Sequence, residues 1–237
     1  MSAVKLVFVR HGQTTGNRDD ILQGSTVDFP LTEKGNWEGY RAGQALRHVK
    51  WDAVFSSDLG RAMDTCRIMM EGNDFGQMEN PVALLREISY GVREGLPRSM
   101  GVEEARTIVA QKRGVDVSEV VDNAETGDEV YARQLQFLQQ LKEVLASFLP
   151  GRVCKVLCVS HGGFIKRFLQ SFAGSLGVEK IHNCAISVIQ VCWREDDEQT
   201  PIITMDSESH LNYIDHIRGG VVGVFDSDSE SKCTILD

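Results

Sequence analysis

The amino-acid sequence predicts an α/β sandwich, because short apolar segments typical of strands alternate with longer segments of helical periodicity. The 237 residues are 42% hydrophobic and 25% charged, which is ordinary for a globular protein with a substantial core. The predicted strands cover residues 5–9, 53–55, 154–160 and 185–193.

Helical periodicity is clearest over residues 128–148, where leucines recur three or four positions apart and share one face. Thr126 and Glu129 have the spacing of a capping box at its start. A second helix is predicted over 33–48, and a third directly after Ser57 and Asp58, since both are good N-cap residues.

Two segments differ from the rest in composition. Residues 97–123 are more polar than their surroundings and predict an insertion or lid. Residues 226–237 are acidic and rich in serine, which predicts a frayed C-terminal tail. The remainder of 1–225 is expected to form one domain.

Charge and hydropathy limit the possible partners. The formal net charge of −9 argues against a broad nucleic-acid or membrane surface, which would select clustered lysine and arginine. An anionic substrate must therefore meet a local positive pocket. No apolar run approaches the roughly 18 residues that span a bilayer, and the N-terminal run is too brief for a signal peptide. We therefore expect a cytoplasmic protein.

The six cysteines lack Cys-x-x-Cys spacing. This pattern disfavours both a zinc site and a secreted disulfide framework, so reduced and mostly buried thiols are expected. No metal-ligand spacing such as His-Glu-x-x-His and no Walker or Gly-x-Gly-x-x-Gly motif is present either. Nucleotide binding therefore has no support.

Two His-Gly pairs follow apolar strands. Arg10-His11-Gly12 ends the first strand, and Ser160-His161-Gly162 ends a later one and leads into a helical pattern. Side chains just beyond strand ends are well placed to bind ligands, and a helix N-terminus favours an anion. Taken alone, the first tripeptide favours a structural role. The repetition makes a functional site the better interpretation.

Arg61 and Glu87 extend this pattern. Arg61 lies in the first turn of a predicted helix, where a cation is disfavoured by about 0.3–1 kcal/mol unless an anion is near. Asp58 or Asp64 is one candidate for that anion; a bound phosphoryl group, held by the guanidinium fork, is the other. Glu87 alone indicates only a solvated charge. With two imidazoles and two guanidiniums, however, it completes the set that metal-free phosphoryl transfer needs.

The sequence resembles the histidine phosphatase superfamily, which has the phosphoglycerate mutase-like fold. The motifs that carry the resemblance occur in the family order and cover most of the chain: VRHG with Thr14 and Asn17, QG at Gln23, PLTEKG from Pro30, SSDLGRAMDT from Ser56, LRE from Leu85 and VSHGG from Val159. The resemblance implies a three-layer α/β/α sandwich with a mostly parallel central sheet.

The resemblance also implies the roles of the site residues, with no cofactor and no metal. His11 would be the nucleophile and become a phosphohistidine, and Glu87 would be the proton donor and acceptor. The phosphoryl oxygens would be bound by Arg10, Arg61 and His161. The pocket would be completed by Asn17, Gln23, Gly24 and the Gly162 backbone.

Two softer motifs, LREISYGVREG from Leu85 and HLNYIDH from His210, are similar to those of TIGAR-like fructose-2,6-bisphosphatases. They imply a phosphatase of small phosphorylated metabolites in carbohydrate metabolism, with fructose-2,6-bisphosphate or a related sugar bisphosphate as substrate. Arg93, Arg98 and Arg106 are candidates for holding a second phosphate, with solvated surface charge as the alternative.

Other functions remain open. One is a phosphoglycerate mutase or bisphosphoglycerate phosphatase, although the long basic insertion of the mutases is not evident. Another is a catalytically weak scaffold protein, which the intact His11 and Glu87 disfavour. A monomer and a homodimer are equally compatible with the sequence.

Overall fold

The sheet lies at the centre of the fold. The computed structural model describes residues 2–76, 78–79, 81–146, 153–173, 180–193 and 201–211. Within them, five strands form one sheet in the order β2-β3-β1-β4-β5. The strands are β1 (Ser2–Arg10), β2 (Ala53–Ser56), β3 (Val153–Ser160), β4 (Ile186–Trp193) and β5 (Pro201–Leu211).

Strand direction and register bring two strand ends together. β3 runs parallel to both β1 and β2, whereas β4 is antiparallel to β1 and to β5. Four of the five described strands therefore point the same way, which confirms the mostly parallel sheet. Arg10 of β1 is in register with Ser160 of β3. The residues that follow, His11 and His161, consequently leave the sheet side by side.

Helices cover both faces of the sheet. The described α-helices are α1 (Thr15–Arg18), α2 (Glu33–Leu46), α3 (Gly60–Met70), α4 (Val102–Arg113), α5 (Gly127–Leu145) and α6 (Gly162–Ala173), and those that pack on the sheet are α2, α3, α5 and α6. Leu6 and Phe8 of β1 pack with the apolar residues of α5 and α6, and Val7 and Val9 pack with those of α2 and α3. Alternate side chains of one strand thus serve two cores, and the three-layer sandwich is confirmed.

Several local predictions are confirmed, with small shifts at the ends of elements. The four predicted strands and the predicted helices are present, and Thr126 and Glu129 form the capping box of α5. The end of the predicted helix 128–148 lies outside the described residues. The five described cysteines are free thiols, and four of them are buried; Cys233 lies outside the described part.

The predicted N-caps of α3 are wrong. Leu59 occupies the N-cap position and makes no side-chain capping bond. Ser57 instead pairs with His161, and Asp58 forms a bidentate ion pair with Arg86. Long-range partners therefore take both side chains that local sequence assigned to the helix end.

Three of the described strands and α-helices were not predicted: β5, α1 and α4. α4 lies inside the predicted insertion 97–123, is polar on most of its surface and ends at Gly114 in a left-handed conformation, φ +69°. Whether this segment acts as a lid stays a prediction. The tail 226–237 and most of the HLNYIDH segment lie outside the described residues. No helix in the described ranges is both long and apolar enough to cross a membrane.

Candidate active site

The two predicted histidines meet at the edge of the sheet. The ring centroids of His11 and His161 are 5.2 Å apart, with ring planes inclined by 57°. The His11 backbone N–H donates to the Ser160 carbonyl at 2.9 Å, which fixes the two strand ends to each other. Both side chains are buried. The convergence expected from the sequence is confirmed.

The tautomer of His11 follows from its surroundings. Its Nδ1 lies 2.8 Å from the carbonyl oxygen of Gly12. Because a carbonyl can only accept, Nδ1 must carry the proton. The neutral ring then presents the lone pair of Nε2, which is the atom a nucleophilic histidine needs.

Charge and burial keep this ring neutral. Burial is the largest cause that lowers the pKa of His11 well below its ordinary value, and the positive charges of Arg10 and Arg61 lower that pKa further. The bond to Gly12 acts in the opposite direction but does not outweigh them. His11 therefore remains an unprotonated base at neutral pH.

Ser57 holds the second imidazole. The Nε2 atom of His161 lies 2.8 Å from Ser57 Oγ, and that Oγ also accepts the Leu59 N–H at 3.3 Å. The pKa of His161 is lowered well below its usual value, first by burial and then by Arg61 and His11. Nδ1 of His161 is buried without a hydrogen-bond partner among the described residues.

Arg61 is buried, and its counter-ion is neither of the expected aspartates. Its Nη1 donates to Asp28 Oδ1 at 2.7 Å and to the Val27 carbonyl at 3.1 Å, while Nη2 donates to the Gly24 carbonyl at 2.7 Å. Asp64 pairs with Arg67 instead. The loop 24–28 therefore orients the guanidinium, although it is remote in sequence and only the fold brings it near.

Arg10 is positioned by a backbone carbonyl that is remote in sequence. Its Nη1 donates to the Ile181 carbonyl at 2.7 Å, and its Nε is buried without a partner in the described part of the chain. Burial lowers the pKa of Arg10, while the nearby charge of Glu87 raises it. A β-carbon at Gly162 would lie 3.2 Å from Arg10 Nε, so this glycine keeps the backbone close to the guanidinium.

Glu87 occupies the N-terminus of α6. Its Oε1 accepts the N–H groups of Phe164 at 2.8 Å and Ile88 at 2.9 Å, and its Oε2 accepts that of Gly163 at 3.0 Å. The expected anion at this helix N-terminus is therefore the Glu87 carboxylate, which the helix dipole stabilises. The structure brings Glu87 into the site through contacts that its local sequence does not indicate.

Asn17 and Gln23 brace the loop that follows His11. Asn17 Oδ1 accepts from the Asn183 amide at 3.0 Å and the Thr14 N–H at 3.3 Å, so its amino group is the end left to donate. The buried Gln23 accepts the Thr14 hydroxyl at 3.0 Å. Asn183 also donates to the His11 carbonyl at 2.9 Å.

Gly24 is required by backbone geometry. Its φ of +65° lies in the left-handed region, and a β-carbon there would collide with the Glu94 carboxylate. Glu94 accepts N–H bonds from Ser25 at 3.1 Å, Thr26 at 2.7 Å and Tyr90 at 2.8 Å, and the Thr26 hydroxyl also donates to it. Sequence reasoning missed Glu94, because an isolated glutamate resembles a surface charge.

Gly12 is required by close packing. A β-carbon there would collide with the Gly35 carbonyl of α2. The Gly12 N–H donates to Thr65 Oγ1 of α3 at 3.0 Å. Gly12 therefore allows two helices to approach the loop that follows His11.

The three arginines that are candidates for binding a second phosphate have different surroundings. Arg98 pairs with Asp20 at 3.2 Å, and its charge lowers the pKa of Arg10, so it lies near the site. The charge of Arg93 acts on Tyr90. Arg106 instead contacts Glu103 and the Val117 carbonyl within the 97–123 segment.

These contacts leave three buried nitrogens without partners around His11. They are Arg10 Nε, Arg61 Nε and His161 Nδ1, none of which has a hydrogen-bond partner among the described residues. Buried donors normally find acceptors, and leaving one unpaired costs about 1–3 kcal/mol. A tetrahedral anion would supply those acceptors. No group of three or more His, Cys, Asp or Glu side chains that could hold a metal ion is found within the described ranges.

The chain is similar to known proteins. A family model described as the histidine phosphatase superfamily (branch 1) matches residues 6–204. A 2,3-bisphosphoglycerate-dependent phosphoglycerate mutase of Rhizobium etli is 34% identical over 180 residues, covering 74% of this chain and 80% of that protein. Fructose-2,6-bisphosphatase TIGAR of Bos taurus is 30% identical over 215 residues, covering 74% and 79%.

Other matches are shorter or more distant. The match to TIGAR of Xenopus laevis, at 34% identity, spans 61% of this chain and about half, 52%, of that protein. The crystal structure of a phosphoglycerate mutase from Bacillus anthracis str. Sterne superposes with a TM-score of 0.66 at 24% identity, over 86% of this chain and 92% of that one. That similarity concerns the fold.

Proposed function

Because the chain belongs to the histidine phosphatase superfamily, whose relatives include phosphatases and mutases, we propose that it is a phosphatase of small phosphorylated metabolites. The reaction proceeds without a metal, through a phosphohistidine at His11. The observation that carries this proposal is the set of unpaired buried donors around an unprotonated imidazole: Arg10 Nε, Arg61 Nε and His161 Nδ1.

In the first step, the lone pair of His11 Nε2 attacks phosphorus and the bond to the leaving oxygen breaks. The guanidiniums of Arg10 and Arg61 and the His161 N–H stabilise the charge on the phosphoryl oxygens. Preorganised donors of this kind commonly contribute a factor of about 10²–10³ each. Glu87 delivers a proton to the departing oxygen.

In the second step, the Glu87 carboxylate takes a proton from water, which attacks the phosphohistidine and releases phosphate. Oε1 of Glu87 already accepts two backbone N–H bonds, whereas Oε2 accepts one. Since each carboxylate oxygen offers two lone pairs, Oε2 is the atom available for proton exchange. The N-terminus of α6 thus orients the carboxylate for both steps.

Fructose-2,6-bisphosphate or a related sugar bisphosphate is the substrate that we propose. The similarity to TIGAR over three quarters of the chain supports this choice, and so do Arg93 and Arg98, whose charges act on residues of the site. These arginines would hold the phosphate that does not react.

A mutase is the second candidate, favoured by the similarity to the phosphoglycerate mutase of Rhizobium etli. It would use the same phosphohistidine but return the phosphoryl group to a bound acceptor instead of to water. The two activities therefore differ in product rather than in the first chemical step.

A substrate panel separates these functions. The purified chain is assayed with fructose-2,6-bisphosphate, with other sugar phosphates, and with 3-phosphoglycerate plus 2,3-bisphosphoglycerate, using His11→Ala as control. The proposal expects inorganic phosphate and a hexose monophosphate, both absent with the variant. Isomerised phosphoglycerate without phosphate release would identify a mutase, and no turnover of any compound would favour a binding protein.

A further inference from the structure

Arg133, on α5, is bonded to the segment that carries Glu87. Its Nη1 donates to the Leu84 carbonyl at 3.0 Å and to the Arg86 carbonyl at 2.8 Å. Arg86 directly precedes Glu87 in the chain, and Leu84 lies three residues before it. A single guanidinium on the rigid helix therefore fixes the backbone from which the Glu87 side chain projects.

Glu125 restrains the same segment on the other side of Glu87. It forms a two-pronged ion pair with Arg133, in which both N···O distances are 2.8 Å. Its Oε2 accepts the Ser89 N–H at 3.0 Å, and its own N–H donates to the Ser89 carbonyl at 2.9 Å. The side chains of Arg133 and Glu125 are only 15% and 19% exposed, so water competes little for these bonds.

Arg133 also contacts the helix that holds the Glu87 carboxylate. Its guanidinium carbon lies 5.1 Å from the centre of the Phe164 ring, and the Phe164 N–H donates to Glu87 Oε1 at 2.8 Å. One side chain thus bonds the segment that carries the carboxylate and packs on the residue that binds it. Among the described contacts, neither Arg133 nor Glu125 bonds the carboxylate itself.

We propose that Arg133 and Glu125 form a positioning pair that sets the distance and angle of Glu87 for proton transfer. This inference rests on the proposed function, in which Glu87 is the acid and base. Proton transfer by a positioned side chain contributes about 10²–10⁴-fold, and such transfer depends steeply on geometry. Loss of the pair should therefore remove part of the rate enhancement from proton transfer without weakening the binding of the phosphoryl group.

Dependence on the leaving group separates this role from a purely structural one. An alkyl phosphate such as glycerol 2-phosphate needs a proton on its leaving oxygen, whereas p-nitrophenyl phosphate releases a stable anion. The quantity to compare is kcat/KM, because it reports only the steps up to departure of the leaving group. Damage to Glu87 should lower kcat/KM for the alkyl phosphate selectively.

The experiment measures kcat/KM on both substrates for wild type, Arg133→Gln, Glu87→Gln and the double variant. We expect Arg133→Gln to lose about tenfold or more on the alkyl phosphate and less than about threefold on the aryl phosphate. The double variant should fall no further than Glu87→Gln, because both changes act on one proton transfer. Arg67→Gln, which removes an exposed ion pair on α3, should leave the ratio unchanged.

Equal losses on both substrates, or losses that add to those of Glu87→Gln, would overturn the positioning role. If Glu87→Gln itself shows no selectivity between the substrates, the acid role fails and the positioning role fails with it. If neither substrate is hydrolysed by wild type, the proposed function fails first. Should Arg133→Gln not fold, Glu125→Gln carries the same test, because it retains the guanidinium and both of its carbonyl contacts.

Discussion

The imidazole of His11 and that of His161 face each other with centroids 5.2 Å apart, because β1 and β3 are parallel neighbours that end in register. This relationship allows two positively charged arginines and two uncharged histidines to share one site. It also has measurable consequences for stability, for the tautomer of His161 and for substrate binding.

The buried histidines make stability depend on pH. The lowered pKa values keep both rings neutral in the folded protein, whereas unfolded histidines titrate near 6.5. Below about pH 6.5 the unfolded chain binds protons that the folded protein does not. The free energy of unfolding should therefore decrease as the pH is lowered below that value, by up to about 1.4 kcal/mol per pH unit for each ring.

Denaturant unfolding between pH 7.5 and 5 measures this slope. His161→Gln should flatten it, whereas His48→Gln should not, because His48 is exposed. An unchanged slope in His161→Gln would show that this ring protonates freely in the folded state.

Ser57 should control which nitrogen of His161 donates. If Nδ1 is to donate to a phosphoryl oxygen, Nε2 must accept the Ser57 hydroxyl proton. Ser57→Ala should therefore lower kcat/KM up to about tenfold, the net contribution of one hydrogen bond. The stability of the folded protein should change little. Ser56→Ala is the matched control, because the side chain of the neighbouring buried Ser56 donates to the Ser57 carbonyl and not to a histidine. Equal losses in the two alanine variants would contradict the tautomer argument.

Arg61 should not be replaceable by lysine. Three bonds from its two Nη atoms fix the guanidinium to the loop 24–28, and a single ammonium cannot reproduce that fork. Arg61→Lys should lower kcat/KM at least about 100-fold. Arg67→Lys changes an exposed arginine on the same helix and should be neutral. Steady-state kinetics on p-nitrophenyl phosphate measure kcat/KM for both variants. A loss below about threefold for Arg61→Lys would show that the guanidinium is not needed in the site.

Gly24 and Gly72 form a matched pair for testing the Glu94 contact. Both have positive φ, +65° and +70°, but a β-carbon at Gly24 would meet Glu94, whereas one at Gly72 has nothing within 4 Å among the described residues. Gly72→Ala should lose about 1–2 kcal/mol of stability from backbone strain. Gly24→Ala should lose more and also raise KM, because it displaces the loop that orients Arg61. Identical behaviour of the two variants in thermal unfolding and kinetics would argue against a role for the Glu94 contact.

Arg98 should distinguish a bisphosphate from a simple phosphate. Its charge acts on Arg10 of the site, and its bond to Asp20 is exposed and easily exchanged for another anion. Arg98→Ala should raise KM for a sugar bisphosphate more than for an aryl phosphate. Arg106→Ala, whose side chain bonds Glu103 and Val117, should not. Equal changes of KM on both substrates would exclude Arg98 from binding a second phosphate.

The strand ends could be predicted from sequence because an apolar run fixes both the strand and the point where it stops. His11, His161 and the central strands follow from that pattern. The partner of Arg61 could not be predicted in this way. Asp58 and Asp64 are its neighbours in sequence, yet Arg86 and Arg67 pair with them, and Asp28 of a distant loop pairs with Arg61 instead.

The same limit applies to residues that act through the backbone. Glu94 and Glu125 each accept N–H groups from distant segments, but in sequence they look like solvated charges. α4 was missed for a related reason. Its surface is largely polar, and only Ala105 and Ala110 are buried, so hydrophobic periodicity gives little signal there.

Trapping the covalent intermediate shows whether His11 is the nucleophile. Wild type is mixed with substrate, quenched in alkali within milliseconds to preserve phosphoramidate bonds, digested and analysed by mass spectrometry. We predict one phosphoryl group on His11, absent from His11→Ala, which also loses turnover. A phosphoryl group on any other residue, or full turnover by His11→Ala, would contradict it.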